Sequence, residues 1–269
     1  MNSPAAGNVA PWVERLARVG FAAKALLYIT VGLLAAKAGL GPGGRTTDTH
    51  GALKVVLGMT FGHILLLVVA AGLMGYAVWR LVEAVVDPDR RGTGLKGLAL
   101  RTGSAARGVF HGGLAIAALR LASGTRSSAA TNDAGQWTAF AFGLPGGQLL
   151  VWLGAGAITG YGGYQLYRAY TAKLGRQLDL SPLPAPAATF VVGVSRFGIA
   201  ARGIVFCLIG FFLARAAVGH DAGQAGGLEE SLDTLAGIGR WPFVAVASGL
   251  VAYGLYELVN ARYRRIRMS

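Results

Sequence analysis

The sequence predicts an all-α integral membrane protein: six transmembrane helices arranged as three hairpins that share one orientation. Three observations predict it. A seven-residue phrase occurs three times, as Arg18-Val19-Gly20-Phe21-Ala22-Ala23-Lys24, Arg101-Thr102-Gly103-Ser104-Ala105-Ala106-Arg107 and Arg196-Phe197-Gly198-Ile199-Ala200-Ala201-Arg202. Each copy opens a long apolar run. Of the 269 residues, 54% are hydrophobic and only 14% charged, whereas a soluble domain carries about 25% charged residues.

The apolar runs cover 20–39, 62–86, 103–122, 147–170, 196–218 and 241–261. Each approaches the roughly 20 residues that cross a bilayer. They pair into units at 12–90, 95–176 and 190–269, after a short tail at 1–11. The first helices also repeat a second cation, Lys37, Arg120 and Arg215, thirteen residues beyond Lys24, Arg107 and Arg202. The second helices repeat Gly75-Tyr76, Gly160-Tyr161 and Ala252-Tyr253, each followed by an aromatic residue at Trp79, Tyr164 or Tyr256. Pro182, Pro184 and Pro186 separate the second and third units, where proline disfavours a continuing helix.

Between paired helices lie polar, glycine-rich connections, each with a short amphipathic stretch. In the third, Leu228, Leu232 and Leu235 share one helical face, the pattern of a short helix lying on the bundle. The apolar run near the N-terminus is not read as a signal peptide, because the same pattern recurs deep in the chain.

Charge sets the expected orientation. The N-terminus, the 80–107 and 168–202 segments and the C-terminus hold 18 of the 25 Lys and Arg, leaving 7 for the other three connections. The positive-inside rule then places both termini in the cytoplasm. The basic tail Arg262, Arg264, Arg265 and Arg267 would lie against anionic headgroups, so the net charge of +13 needs no nucleic acid. Units of two helices repeat in parallel about an axis along the membrane normal, and the simplest assembly is a pseudo-threefold bundle, with an open row of hairpins as the alternative.

The repeated phrase, the Gly-Tyr helix and the triplication resemble a bacterial membrane family, domain of unknown function 1206. The resemblance covers nearly the whole chain. It implies an integral protein of the bacterial inner membrane and supplies no activity, cofactor or catalytic residue.

Candidate residues follow from charge inside the spans. Lys24, Arg107 and Arg202 are expected in the first turns of three helices, where helix dipoles and free N–H groups favour anions. They are the candidate contacts for anionic headgroups; the plainer reading is snorkelling of long stems to the interface. Lys37 lies about 140° around the helix from Lys24, so both rings of cations cannot line one straight channel. A polar and aromatic stripe follows on the second helices: Tyr76, Arg80 and Glu83; Tyr161, Gln165 and Arg168; Tyr253, Glu257 and Asn260. Ion pairs between Glu83 or Glu257 and the first-helix cations are expected, and Trp79, Tyr164 and Tyr256 read as an interfacial belt. Gly156 and Gly160 have the spacing that lets membrane helices pack closely. His111 reads as a buried, hydrogen-bonded histidine and Cys207 as a small buried residue.

The sequence has no motif of metal ligation, nucleophilic catalysis or phosphate-loop binding. No enzyme activity, cofactor or metal is expected. The expected partners are the bilayer, its anionic headgroups and a further membrane protein. The function expected is a non-enzymatic accessory or lipid-interacting role, with a small transporter or channel for an anionic or lipid-like solute as the alternative.

Overall fold

A computed structural model describes residues 11–40, 49–58, 61–87, 92, 94–124, 133–171 and 178–264. The start of the N-terminal tail and Arg265 and Arg267 of the basic tail lie outside the described residues. Nine α-helices occur among those described: α1 Pro11–Leu40, α2 Thr49–Leu57, α3 Gly62–Val86, α4 Leu95–Ala122, α5 Asp133–Phe142, α6 Gly147–Thr171, α7 Ala185–Gly219, α8 Leu228–Ile238 and α9 Arg240–Tyr263. Each repeat is a long helix, a short helix and a long helix.

The first helix of each repeat starts eight to eleven residues before its apolar run. The run marks the apolar part of the helix, not its start. Lys24, Arg107 and Arg202 therefore lie more than three turns inside their helices and not in the first turns, which corrects the expectation that helix N-termini favour anions there. No breaker lies between Pro11 and Gly20, and in α7 the prolines serve the helix start: Pro184 is the N-cap and Pro186 follows within the first turn, positions where a missing N–H costs nothing. At the other end of α4, Gly124 takes a left-handed φ of 70°, the conformation that ends a helix most readily at glycine.

The short helices were legible from their apolar spacing. α8 turns Leu232 and Leu235 into the core and leaves Asp233 in the open. Its first backbone N–H, on Gly227, donates to the Glu230 carboxylate at 2.7 Å. In the second repeat α5 departs from this pattern, with Trp137 70% exposed.

Four long helices are apolar and long enough to cross a membrane: Arg18–Leu40, Gly62–Val86, Ala185–Gly219 and Arg240–Tyr263. The other two, α4 and α6, match them in length at 28 and 25 residues but are more polar. Arg101, Arg107 and Arg120 interrupt α4, and glycine, tyrosine and Gln165 fill α6.

The long helices pack in the order α4, α3, α1, α9, α7, α6, a row that α4 and α6 leave open. The second helix of each repeat lies on the first helix of the next, three times over: α3 on α4, α6 on α7, and α9 on α1. The three interfaces use equivalent residues. Gly254 faces Ala25, Ala77 faces Gly108, and Gly162 faces Gly203, so small residues let the backbones meet. Each interface is also held by the arginine that opens the repeated phrase. Arg18 donates to the carbonyls of Ala261 and Arg262 at 2.6 and 2.8 Å. Arg101 donates to Ala84 and Val85 at 2.7 and 3.0 Å, and Arg196 to Ala169 and Tyr170 at 2.8 and 3.2 Å. These carbonyls end the preceding helix and have no intrahelical donor, so a forked guanidinium completes them.

Within a repeat the threefold pattern breaks. α1 packs on α3 and α7 on α9, but α4 and α6 have no comparable contact. The second unit is therefore not a packed hairpin, which corrects the expectation of three equivalent ones. Gly20 meets Tyr76 and Gly72, and Gly198 meets the backbone of Tyr253, while Gly103 has only the tip of Arg107 near it. Composition explains this. Gly154 stands where α3 and α9 place buried Val69 and Val246, and losing a buried valine removes about 1.5–3 kcal/mol of burial. What remains of α6 is spent on α7.

Candidate functional site

Of the cations that close the repeated phrase, Lys24 and Arg202 are buried in the bundle and Arg107 is half-buried, each with a different partner. Lys24 is 6% exposed and donates to Glu257 Oε1 of α9 at 2.8 Å. The ammonium also lies 5.0 Å from the centre of the Tyr76 ring. Glu257 is 2% exposed; its Oε1 also accepts from Tyr253 at 2.5 Å, and its Oε2 is buried without a hydrogen bond.

Arg202 is 8% exposed. Its Nε donates to the Tyr28 hydroxyl at 3.0 Å and its Nη1 to the Tyr161 hydroxyl at 3.2 Å. Its guanidinium carbon stands 4.6 Å from the Phe206 ring centre and 4.8 Å from that of Tyr253. Among the described residues, no carboxylate forms an ion pair with it, although Glu257 lies within electrostatic reach. Rings and hydroxyls solvate a guanidinium but bring no negative charge. Lys24 and Arg202 against Glu257 leave the buried cluster net positive.

Arg107 behaves differently. It is half-buried and donates to acceptors on its own helix, the Gly103 carbonyl at 2.9 Å and Ser104 Oγ at 3.4 Å. Electrostatically it reaches Tyr161 on α6.

Three edge-to-face ring pairs tie the cluster to the interfaces: Tyr76 with His111 and Tyr28 with Tyr253, both at 4.7 Å, and Tyr161 with Phe206 at 5.1 Å. Each joins a second-helix tyrosine to the next repeat's first helix. His111 is buried, and its Nδ1 pairs with the Arg107 carbonyl at 2.8 Å, which makes Nδ1 the donor. Nε2 is then an acceptor, and no hydrogen bond engages it among the described residues. His111 lines a cavity of about 20 Å³ with Lys24, Tyr28, Phe110 and Leu114, topped by Leu228 of α8. Such a volume holds about one water.

The remaining stripe residues scatter. Arg80 donates to the Tyr76 hydroxyl at 2.9 Å and pairs with Glu83 at 2.5 Å, while Lys24 pairs with Glu257 and not with Glu83. Gln165 is buried beside α7, opposite in repeat position to Arg80 and Glu257. Arg168 donates to the Tyr256 hydroxyl at 2.5 Å. Tyr256 is thus buried in the bundle and not part of an exposed belt, whereas Tyr164 is exposed. Asn260 is buried on the Tyr256 carbonyl at 3.0 Å. Lys37, Arg120 and Arg215 are all exposed. Gly156 and Gly160 do not mediate packing: a Cβ on either would meet nothing, while Gly162 is the glycine that touches α7, against Cys207. The clamp role of Arg18, Arg101 and Arg196 was not read from the sequence, although their fixed spacing from the cations carried the signal.

This threefold geometry agrees with the known relatives of the chain. The family described as Domain of Unknown Function (DUF1206) matches three segments, 19–87, 102–172 and 197–264. The chain belongs to this family. Each segment begins one residue beyond a clamp arginine and runs to the end of the second long helix. The chain is also 30% identical to the uncharacterized protein YxxB of Bacillus subtilis (strain 168) over 259 residues, 95% of this chain and 93% of that one. No solved structure matches.

Proposed function

We propose that the protein is a six-span protein of the bacterial cytoplasmic membrane, with both termini inside, that binds an anionic phosphate headgroup at Arg107, Arg202 and Lys24. On this reading its role is non-enzymatic, as a lipid-interacting or accessory protein for a membrane partner.

The observation that carries the reading is Arg202, buried with no carboxylate paired to it among the described residues, beside a Lys24–Glu257 pair that is already neutral. A charge buried in a bundle costs several kcal/mol unless it is paired, and a phosphate anion supplies the missing charge with acceptor oxygens that suit a guanidinium fork. Placing α4 and α6 across the membrane with the other four follows from the repeat, since each is the counterpart of an apolar helix. The excess of Lys and Arg on one side supports the orientation. The cavity between α1, α4 and α8, with room for about one water, gives the transporter alternative no support of its own.

The test is retention of lipid by the purified protein in native mass spectrometry, with phosphatidylglycerol and phosphatidylcholine supplied equally. Preferential retention of phosphatidylglycerol that falls at least fivefold in Arg107→Gln, Arg202→Gln supports the reading. Equal retention of both lipids, or no change in the double variant, overturns it.

A further inference from the structure

We propose that the opening between α4 and α6 in the second repeat is the berth of one lipid acyl chain, with a hydroxyl-bearing anionic phosphodiester headgroup at Arg107 and Tyr161. This rests on the headgroup reading above and adds where the lipid enters and which class it is.

The opening is a local exception in a repeated structure. Positions that are buried in the first and third repeats are uncovered in the second. Ala23 and Ala201 are buried, but Ala106 is exposed; Leu27 and Val205 are buried, but Phe110 is exposed; Gly72 and Gly249 are buried, but Ala157 is exposed. A Cβ at Gly113, Gly154 or Gly160 would meet nothing within 4 Å. Two walls of small residues therefore face open space where the other repeats pack helix on helix.

Independent observations point from this opening to a polar ligand. His111 is 92% buried, counting from its 8% exposure, and its Nε2 is an acceptor, unengaged among the described residues, lining the cavity that Phe110 borders. Arg107 holds only its own helix and lies within electrostatic reach of Tyr161, whose hydroxyl already contacts Arg202. Cations ask for phosphate oxygens, and the open acceptor of His111 asks for a hydroxyl donor. A phosphoglycerol headgroup offers both.

Direction favours a lipid over a helix of another protein. From Arg107 the wall of α4 runs through Phe110 to Gly113. From Tyr161 the wall of α6 runs through Ala157 to Gly154. Both go from charge to apolar surface over roughly 10 Å of helix rise, which is the polarity of a lipid with its head at one end. A spanning helix would want an apolar face in both directions.

The experiment repeats the native mass spectrometry on Gly160→Leu, a substitution into open space that leaves room for the fold, with thermal unfolding measured alongside. The inference expects unchanged unfolding and at least fivefold less retained phosphatidylglycerol than wild type. It also expects phosphatidylglycerol to be retained at least threefold better than phosphatidic acid, which has no hydroxyl-bearing glycerol. Wild-type retention in Gly160→Leu together with loss in Arg107→Gln, Arg202→Gln overturns the berth and leaves the headgroup reading standing. Wild-type retention in all variants overturns both. A purified dimer whose α4 and α6 cross-link between copies also overturns it, because a second copy then fills the opening.

Discussion

Lys24 and Glu257 lie 233 residues apart in sequence and 2.8 Å apart in the fold. Their ion pair joins the first repeat to the last and seals the α9–α1 interface from inside the bundle. The corresponding positions at the other two interfaces hold Arg107 with Arg80, and Arg202 with Gln165. One of three equivalent sites is thus neutralised and two keep their charge.

Removing one partner of that pair strands the other. Glu257→Gln is expected to destabilise the protein by about 3–5 kcal/mol, because a buried lone ammonium remains. Replacing both, Lys24→Met with Glu257→Met, is expected to recover most of the loss. Thermal unfolding in detergent, followed by helical circular dichroism, reads both variants.

The arginine clamps make a second expectation. Arg101→Lys and Arg196→Lys each keep the charge but lose the fork that spans two carbonyls. Each is expected to cost about 1–3 kcal/mol, the value of hydrogen bonds made by a charged group. Unfolding of the two variants should fall together, because the two clamps are equivalent; a neutral result in either contradicts the assignment.

Glycines of similar sequence context should respond in opposite ways. A Cβ on Gly198 would sit 2.3 Å from the backbone nitrogen of Tyr253, so Gly198→Ala must push α7 off α9. Gly160 has open space, so Gly160→Ala is expected to stabilise α6 by about 1 kcal/mol through helix propensity alone. Melting temperatures of the two variants check the contrast.

That contrast also marks where the sequence was readable. The long helices, the short helices between them and the triplication all followed from apolar periodicity and the repeated phrase. The cations of the phrase were singled out, and helical geometry separated Lys24 from the exposed Lys37. The sequence did not distinguish Gly162, which packs, from Gly156 and Gly160, which do not. Spacing alone states that a helix could be approached closely, and only the neighbouring helix decides whether it is. Arg18 read as an orientation signal for the same reason: its partners, the carbonyls of Ala261 and Arg262, belong to a helix at the far end of the chain. The opening in the second repeat was invisible for a related cause. Ala106 and Ala157 look like packing residues, and their exposure follows from α6 committing its one tight face to α7.

Disulfide trapping between equivalent pairs tests the open second repeat most directly. In a Cys207→Ala background, Ala23→Cys with Gly72→Cys and Ala106→Cys with Ala157→Cys occupy the same places in the first and second repeats. A Cβ at Gly72 would lie 3.2 Å from that of Ala23, close enough for a disulfide to form after small adjustment. The account predicts rapid cross-linking of the first pair in native membranes and none within the chain for the second. Equally rapid cross-linking of Ala106→Cys with Ala157→Cys would contradict it, because α4 and α6 would then close like the other two hairpins.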